Sequence, residues 1–313
     1  MFIQQAFKSR HEWWRYAIGL IIVVIGAVIG QIPLTIGILM KTGFQAVEMT
    51  ESEMLQVLDS NLSFFLLLLS FAVGLGALFL VIRYLHNQPL KEATTTRRKV
   101  DWGRFFFGFG LIAAFTGIAT IIDYNMSPED YLWNFDFIPF IILALIAVVM
   151  VPLQTSFEEY LFRGYLMQGI GVMAGNRWLP LILTSVIFGG LHAFNPEVAK
   201  LGNIIMLYYI GTGFLFGIMT LMDEGIELAL GFHAGNNLIG ALLVTADWTA
   251  FQTNSVLKDV SEPSAGFDIL LPVLLIYPLF LFIMAKKYNW TDWKGKLFGK
   301  VHRPEIRISS EEI

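Results

Sequence analysis

The chain has 313 residues, of which 56% are hydrophobic and only 15% are charged, and it contains no cysteine. A soluble domain has roughly 25% charged residues, so this composition excludes an ordinary cytosolic globular protein. The net charge of −4, without a basic stripe, argues against a nucleic-acid partner, and the lack of cysteine excludes disulfides, thiol nucleophiles and thiolate metal sites.

Eight apolar segments follow one another along the chain, each close to the roughly 20 residues that cross the hydrocarbon core of a bilayer. They are 16–40, 62–84, 104–122, 140–172, 179–196, 203–222, 226–246 and 267–286. The sequence therefore predicts an all-α polytopic membrane protein with about eight transmembrane helices around an intramembrane polar site. The first segment lacks a small-residue cleavage site, so we interpret it as a retained signal anchor.

The distribution of basic residues predicts the topology. An even number of spans places both termini on one side, and all but three of the 21 lysines and arginines then fall on that side. The exceptions are Lys41, Lys200 and Lys258. The positive-inside rule therefore predicts cytoplasmic termini, and the short loops favour a bacterial inner membrane. We expect one transmembrane domain over 1–290 and a cytoplasmic C-terminal tail over 291–313.

Ionisable side chains inside the spans are the functional candidates, because each costs at least about 2.5–3.5 kcal/mol at the bilayer centre. They are Glu158, Glu159 and Arg163 in the fourth segment, His192 in the fifth, and His233 in the seventh, where Asn237 adds a polar amide. Helix packing has no need for so many costly groups. We therefore expect these residues to form a site.

The spacing of these residues distinguishes those that can pair along one helix from one that cannot. Glu159 and Arg163 are four residues apart with the acid first, so they can neutralise each other. His233 and Asn237 are also four residues apart and share one helical face. Glu158 is left without a partner nearby in the sequence, and a free carboxylate suits a general base.

Small residues predict where the sixth and seventh helices approach their neighbours. Gly213 and Gly217 form one small-xxx-small pair, and Gly231 and Gly235 form another. Such pairs allow helix backbones to pack closely in a membrane.

Three motifs together resemble the signature of the CPBP intramembrane proteases, a family that includes CAAX prenyl endopeptidases and bacterial Abi-type proteins. The motifs are Glu158-Glu159-x-x-x-Arg163, Phe188-x-x-x-His192 and His233-x-x-x-Asn237, in the family's order within 140–245. The resemblance implies a single CPBP-like domain over 1–290. It also implies an endopeptidase that cleaves a peptide or membrane-protein substrate in the bilayer, with or without an attached lipid.

The resemblance also implies a role for each motif residue. Glu158 and His192 would activate water for attack on a peptide carbonyl, while His233 and Asn237 would stabilise the oxyanion. The supporting residues would be Glu159, Arg163 and Phe188.

A zinc-dependent version of the same protease is the main alternative mechanism. Glu158, His192 and His233 match the ligand types of a catalytic zinc site. However, the chain has no His-Glu-x-x-His helix, and these ligands would come from three spans. We therefore favour a glutamate mechanism without metal or other cofactor. A serine mechanism through Ser156 would lack a positioned base.

Two other functions are compatible with intramembrane polar residues. An ion-coupled transporter also places Glu, Arg and His inside its spans, but this sequence shows no inverted repeat. A non-catalytic binding or immunity protein could keep the same fold and residues. Replacement of Glu158 by Gln distinguishes an enzyme from a binding protein.

Overall fold

The computed structural model describes residues 1–263, 266 and 269–304, and within them the protein is an all-α polytopic membrane protein. The start of the eighth predicted segment, 267–268, and the end of the predicted tail, 305–313, lie outside the described residues. The α-helices are α1 (Trp13–Thr42), α2 (Glu51–Leu55), α3 (Ser60–Leu80), α4 (Leu90–Thr94), α5 (Trp102–Met126), α6 (Phe137–Glu159), α7 (Met167–Ala174), α8 (Trp178–Gly190), α9 (Pro196–Leu201), α10 (Ile205–Asp223), α11 (Glu227–Leu243), α12 (Tyr277–Tyr288) and α13 (Trp293–Phe298).

Tighter and wider helical turns extend several of these helices. The 3-10 turns are Ile3–Lys8, Gly43–Glu48, Pro128–Asp130 and Leu191–Phe194, and the π-helical stretches are Val81–Leu85, Tyr160–Leu166 and Pro272–Ile276. A small sheet joins three strands in the order β1-β3-β2, formed by β1 (Tyr131–Trp133), β2 (Val244–Thr245) and β3 (Leu257–Asp259). β3 pairs antiparallel with β1 and parallel with β2, and it holds two loops together at one end of the bundle.

Local signals set several helix ends. The carboxylate of Asp59 accepts hydrogen bonds from two backbone N–H groups at the start of α3. The carboxylate of Asp101 accepts one from the backbone N–H of Arg104 at the start of α5. Gly175 ends α7 with a φ of 67°, a left-handed conformation that glycine adopts without strain.

Five helical segments are long and apolar enough to cross a membrane. They are Trp13–Glu48, Ser60–Leu85, Trp102–Met126, Phe137–Ala174 and Ile205–Asp223. The other three predicted spans are shorter helices in the described part of the chain, namely Trp178–Phe194, Glu227–Leu243 and a helix that includes Pro272–Tyr288. A total of eight spans therefore stays a prediction.

The helix α11 is enclosed by protein, which explains why it needs no continuous apolar surface. It packs against α5, α6 and α10, and every residue from Glu227 to Gly235 is buried. A helix surrounded by other helices can present polar groups inward without exposing them to lipid. This position allows α11 to contribute side chains to the polar site.

The predicted small-residue contacts are present. A Cβ atom on Gly231 would overlap the carbonyl oxygen of Phe105, and a Cβ atom on Gly235 would lie 2.8 Å from the carbonyl oxygen of Phe109. These glycines therefore set the close approach of α11 to α5.

The other pair, on α10, faces α8. A Cβ atom on Gly213 would lie 2.6 Å from the carbonyl oxygen of Ser185, and one on Gly217 would meet side chains of Leu181 and Met167. Both helix pairs that surround the polar site are thus packed backbone to backbone.

Both described ends of the chain meet at one end of the bundle. Gln4 donates to the carbonyl of His302 at 2.9 Å, and a backbone bridge joins Asn176 to Lys300. At the other end, Lys258 in β3 pairs with Asp247 at 2.8 Å. The side of the membrane on which each end lies stays a prediction.

Buried charges hold the start of α11 in place. Asp223 accepts from Arg97 at 2.6 Å, from Arg104 at 2.9 Å and from the indole of Trp290 at 3.1 Å. Glu227 accepts from Arg97 at 3.1 Å. Asp223 and Glu227 were not among the sequence candidates, and their partners show that they anchor the loop before α5 onto the turn between α10 and α11.

The packing of α11 on α5 predicts the effect of adding one methyl group. Gly231→Ala should destabilise the protein by about 1–3 kcal/mol, because the added carbon overlaps the backbone of Phe105. Gly240→Ala is the matched control in the same helix, since a Cβ atom there meets nothing within 4 Å. Thermal unfolding in detergent micelles should show a lower Tm for Gly231→Ala alone; equal Tm values for the two variants would contradict this packing.

Candidate active site

The last two turns of α6 bring three polar side chains into the core. Gln154, Glu158 and Glu159 are 4%, 9% and 0% exposed. The helix then widens into the π-helical stretch Tyr160–Leu166, which contains Arg163. Single π-helical turns inside long helices occur frequently at functional sites, because they redirect side chains without ending the helix.

Glu159 is the centre of a buried ion-pair group. Its Oε1 accepts from Nη1 of Arg163 at 3.0 Å and from Nδ1 of His233 at 2.9 Å. Arg163 is 0% exposed, and its Nη2 donates to the carbonyl of Gly213 at 3.0 Å. The predicted pair of Glu159 and Arg163 is therefore formed, and it joins the chain segment after α6 to both α10 and α11.

Aromatic rings enclose this group. The guanidinium carbon of Arg163 lies 4.5 Å from the ring centre of Phe188 and 5.3 Å from that of Phe216. Phe216 also stacks on His233 with ring centres 4.8 Å apart. Aromatic faces attract a cation while excluding water, so they hold both side chains in one orientation.

Glu158 has different surroundings from its neighbour. Its Oε1 accepts from Nε2 of Gln154 at 2.6 Å. Its Oε2 is buried, has no hydrogen-bond partner among the described residues, and lies 3.6 Å from Nε2 of His233. A separation of 3.6 Å is too long for a direct hydrogen bond. One oxygen of Glu158 is thus held by Gln154, and the other has no hydrogen bond among the described residues, as is also true of Oε2 of Glu159.

The expectation that Glu158 has no partner nearby in the sequence is wrong. Gln154 lies one helical turn earlier and contacts both Glu158 and Asn237, whose Nδ2 donates to Oε1 of Gln154 at 3.1 Å. Asn236 in turn donates to Oδ1 of Asn237 at 3.1 Å. The signal for Gln154 was available in the sequence, since it is a polar residue four positions before Glu158 in an apolar span.

His192 lies beside this hydrogen-bonded group. It is half-buried in the 3-10 turn that follows α8, and its Nδ1 contacts the carbonyl of Phe188 at 2.9 Å. Its ring stacks on Tyr209 with centres 4.4 Å apart. The ring of Phe188 lies between the two histidines, 5.0 Å from His192 and 6.1 Å from His233. The structure therefore brings Glu158, Glu159, Arg163, His233 and Asn237 together and places His192 across Phe188 from them.

Glu197 extends the polar region beyond His192. It belongs to α9, outside the membrane-spanning segments, and accepts from the backbone N–H of Ala250 at 2.8 Å. Burial raises the pKa of its carboxyl group, while the nearby His192 acts in the opposite direction. The hydrogen bond from Ala250 to Glu197 ties α9, which follows His192, to the loop after α11.

The zinc alternative requires Glu158, His192 and His233 to share one ion. Among the residues that the structure describes, no group of three or more His, Cys, Asp or Glu side chains is placed to hold a metal ion. Each histidine directs its Nδ1 to the carbonyl of Phe188 or the carboxylate of Glu159, which leaves Nε2 as the nitrogen that could bind a metal. The ring of Phe188 lies between the two histidines, and this separation, rather than the state of their nitrogens, argues against one zinc ion shared by Glu158, His192 and His233.

Comparisons with known proteins agree with the resemblance of the motifs. Residues 137–239 match the family model described as type II CAAX prenyl endopeptidase Rce1-like. The chain is also 29% identical over 242 residues to the uncharacterized protein YyaK of Bacillus subtilis (strain 168), an alignment that covers 76% of this chain and 80% of that protein. No solved structure matches the chain.

The matched range contains all three motifs and the helices that bear them. This match agrees with the resemblance found in the motifs and supports an intramembrane endopeptidase in general.

The buried ion pair predicts a large effect on stability. Arg163→Met should lower the free energy of unfolding by about 3–5 kcal/mol, because it leaves the fully buried carboxylate of Glu159 without its guanidinium. The double variant Glu159→Gln with Arg163→Met removes both charges and should recover part of that loss. Denaturant unfolding in micelles measures the difference; a double variant no more stable than Arg163→Met would contradict the pairing.

Proposed function

We propose that this chain, whose residues 137–239 match the Rce1-like family model, is an intramembrane endopeptidase that uses Glu158 as the general base. The observation that supports this role most directly is the unpaired, buried Oε2 of Glu158 opposite Nε2 of His233. A general base needs an oxygen that is not already saturated by hydrogen bonds and a position next to the nucleophilic water. The two atoms are 3.6 Å apart, so a water placed beside both of them, rather than between them, could contact each.

Two further residues would stabilise the charge that develops on the substrate. His233 and Asn237 lie on one face of α11, one turn apart, and both face Glu158 or its partner Gln154. Donors aimed at the developing oxyanion are among the largest contributions to amide hydrolysis. Glu159 would keep His233 in position, since it accepts from Nδ1 at 2.9 Å. Because Nδ1 carries this hydrogen, Nε2 of His233 donates to the oxyanion only when the ring carries a second proton.

His192 would contribute through its second nitrogen. A carbonyl oxygen only accepts, so the contact with Phe188 places a hydrogen on Nδ1 of His192. In the neutral ring, Nε2 is then an acceptor that can contact the attacking water. We propose that binding of substrate brings this nitrogen to the water held by Glu158.

The reaction then balances without a covalent enzyme intermediate. The water oxygen bonds to the peptide carbonyl carbon while its proton passes to Oε2 of Glu158. The tetrahedral intermediate breaks its C–N bond as that proton is delivered to the leaving nitrogen. The products are a carboxyl group and a free amine, and Glu158 returns to its starting state.

We propose that the substrate is a peptide or membrane-protein segment that enters from the bilayer. The family description names CAAX prenyl endopeptidases, so a prenylated C-terminal peptide is the first substrate to test. We assign the activity to a single domain over 1–290 in the bacterial inner membrane, with both termini in the cytoplasm and 291–313 as a tail.

Loss of the general base should abolish cleavage. Glu158→Gln in proteoliposomes should reduce kcat/KM by at least about 100-fold, because the amide cannot take a proton from water. The measurement uses quenched fluorescent peptides that end in a CAAX sequence, with and without a farnesyl group.

Thr155→Val is the matched control. Thr155 is fully buried in the same helix, and its hydroxyl contacts only the carbonyls of Val151 and Pro152 among the described residues. This variant should cleave like the wild type. Full activity of Glu158→Gln would refute the mechanism. If the wild type and Glu158→Gln both bind the peptide equally and neither cleaves it, the chain is a non-catalytic binding protein.

Removal of metal tests the alternative mechanism. Dialysis of the purified protein against a strong zinc chelator should leave the rate of cleavage unchanged, because the proposed mechanism has no step that requires a metal. The same preparation should contain no stoichiometric zinc by elemental analysis. Activity that is lost on dialysis and restored by zinc would favour the metalloprotease.

A further inference from the structure

Gln154 connects the proposed base to the proposed oxyanion donor. It is 4% exposed, its Nε2 donates to Oε1 of Glu158 at 2.6 Å, and its Oε1 accepts from Asn237 at 3.1 Å. Both ends of this one amide are therefore engaged, and each contacts a different part of the site. No other described side chain has hydrogen bonds to both Glu158 and Asn237.

The carboxylate of Glu158 determines which end of the Gln154 amide is the donor. An ionised carboxylate only accepts, so Gln154 must turn its NH2 group towards Glu158. Its carbonyl oxygen then faces Asn237, which must turn its own NH2 group towards Gln154. The Oδ1 of Asn237 faces away and accepts from Asn236. The carboxylate thus sets the orientation of three successive amides.

This orientation has a direct consequence for Asn237. Its Oδ1 is occupied by Asn236, and one hydrogen of its Nδ2 is occupied by Gln154. The second hydrogen of Nδ2 remains available as a donor. A flipped amide would instead present an oxygen lone pair to an oxyanion, which would repel it.

We propose that Gln154 is a positioning residue that aligns Glu158 and Asn237 for the same reaction. It holds Oε1 of Glu158, so that Oε2 is the oxygen that receives the proton. It also holds the amide of Asn237 with its donor side towards the site. This inference rests on the proposed endopeptidase function, and it adds a residue that lies outside the three motifs.

Substitution of Gln154 removes the alignment while keeping the helix. Gln154→Met has similar length and no hydrogen-bonding group, so both Glu158 and Asn237 lose a partner. We expect kcat to fall by about 10–100-fold with KM little changed, because small misplacements of reacting groups have effects of this size. The protease assay in proteoliposomes described above measures both constants.

Gln154→Glu provides a readout that a purely structural role would not change. The new carboxyl group can donate to Glu158 only while it is protonated, and two ionised carboxylates this close repel each other. Its activity should therefore be lowest at high pH and recover towards low pH. We expect the pH optimum of Gln154→Glu to lie below that of the wild type.

A double variant tests whether Gln154 acts through Asn237. Asn237→Ala alone removes the donor, and adding Gln154→Met should then cost less than it does in the wild type, because residues that act together have non-additive effects. Fully additive losses would show that Gln154 does not act through Asn237 and would overturn that part of the proposal.

Glu158→Gln and Thr155→Val are measured in parallel to separate the two hypotheses. If Glu158→Gln cleaves normally, the endopeptidase mechanism itself fails. If Glu158→Gln is inactive but Gln154→Met keeps the wild-type kcat, or Gln154→Glu keeps the wild-type pH profile, only the role of Gln154 is overturned. Should Gln154→Met fail to fold, the pH profile of Gln154→Glu decides the question.

Discussion

The carboxylate of Glu159 is completely buried, and the positions of the other polar groups depend on how its charge is neutralised. An unpaired ion in this environment would cost several kcal/mol, and Arg163 neutralises it while His233 adds a second hydrogen bond. Arg163 reaches onward to the carbonyl of Gly213, and Phe188 covers the guanidinium. One buried charge thus ties together the segment after α6 and the helices α8, α10 and α11.

Close helix packing makes this arrangement possible. Gly231 lets α11 approach α5, and Gly213 lets α10 approach α8, so polar side chains on these helices are shielded from lipid by other helices. The buried contacts of Asp223 and Glu227 fix the turn at which α11 begins. A helix of 17 residues with two asparagines and a histidine would be a poor transmembrane segment alone, but inside the bundle it supplies half of the candidate site.

Two adjacent carboxylates acquire different roles from their surroundings. Glu159 accepts from a guanidinium and an imidazole at its Oε1, whereas Glu158 accepts from an amide at its Oε1 and faces His233 with its Oε2. The Oε2 of each carboxylate is buried and has no hydrogen bond among the described residues. In the proposed mechanism Glu159 stays paired with Arg163 while Glu158 takes the proton, a division that catalytic sites commonly make between two neighbouring carboxylates. The successive amides of Gln154, Asn237 and Asn236 add direction without adding charge, which suits a site inside the bilayer.

The sequence alone determined the class of protein, the helical segments, the three motifs, the pairing of Glu159 with Arg163 and the close packing at the glycines. These features depend on composition and on the helical period, which are properties of one segment at a time. Only the tertiary structure decided that His233 lies between Glu158 and Glu159, that Gln154 meets Asn237, and that His192 lies across Phe188 from them. Those contacts join separate helices, and they depend on the depth and rotation of each helix in the bundle, which no single segment encodes.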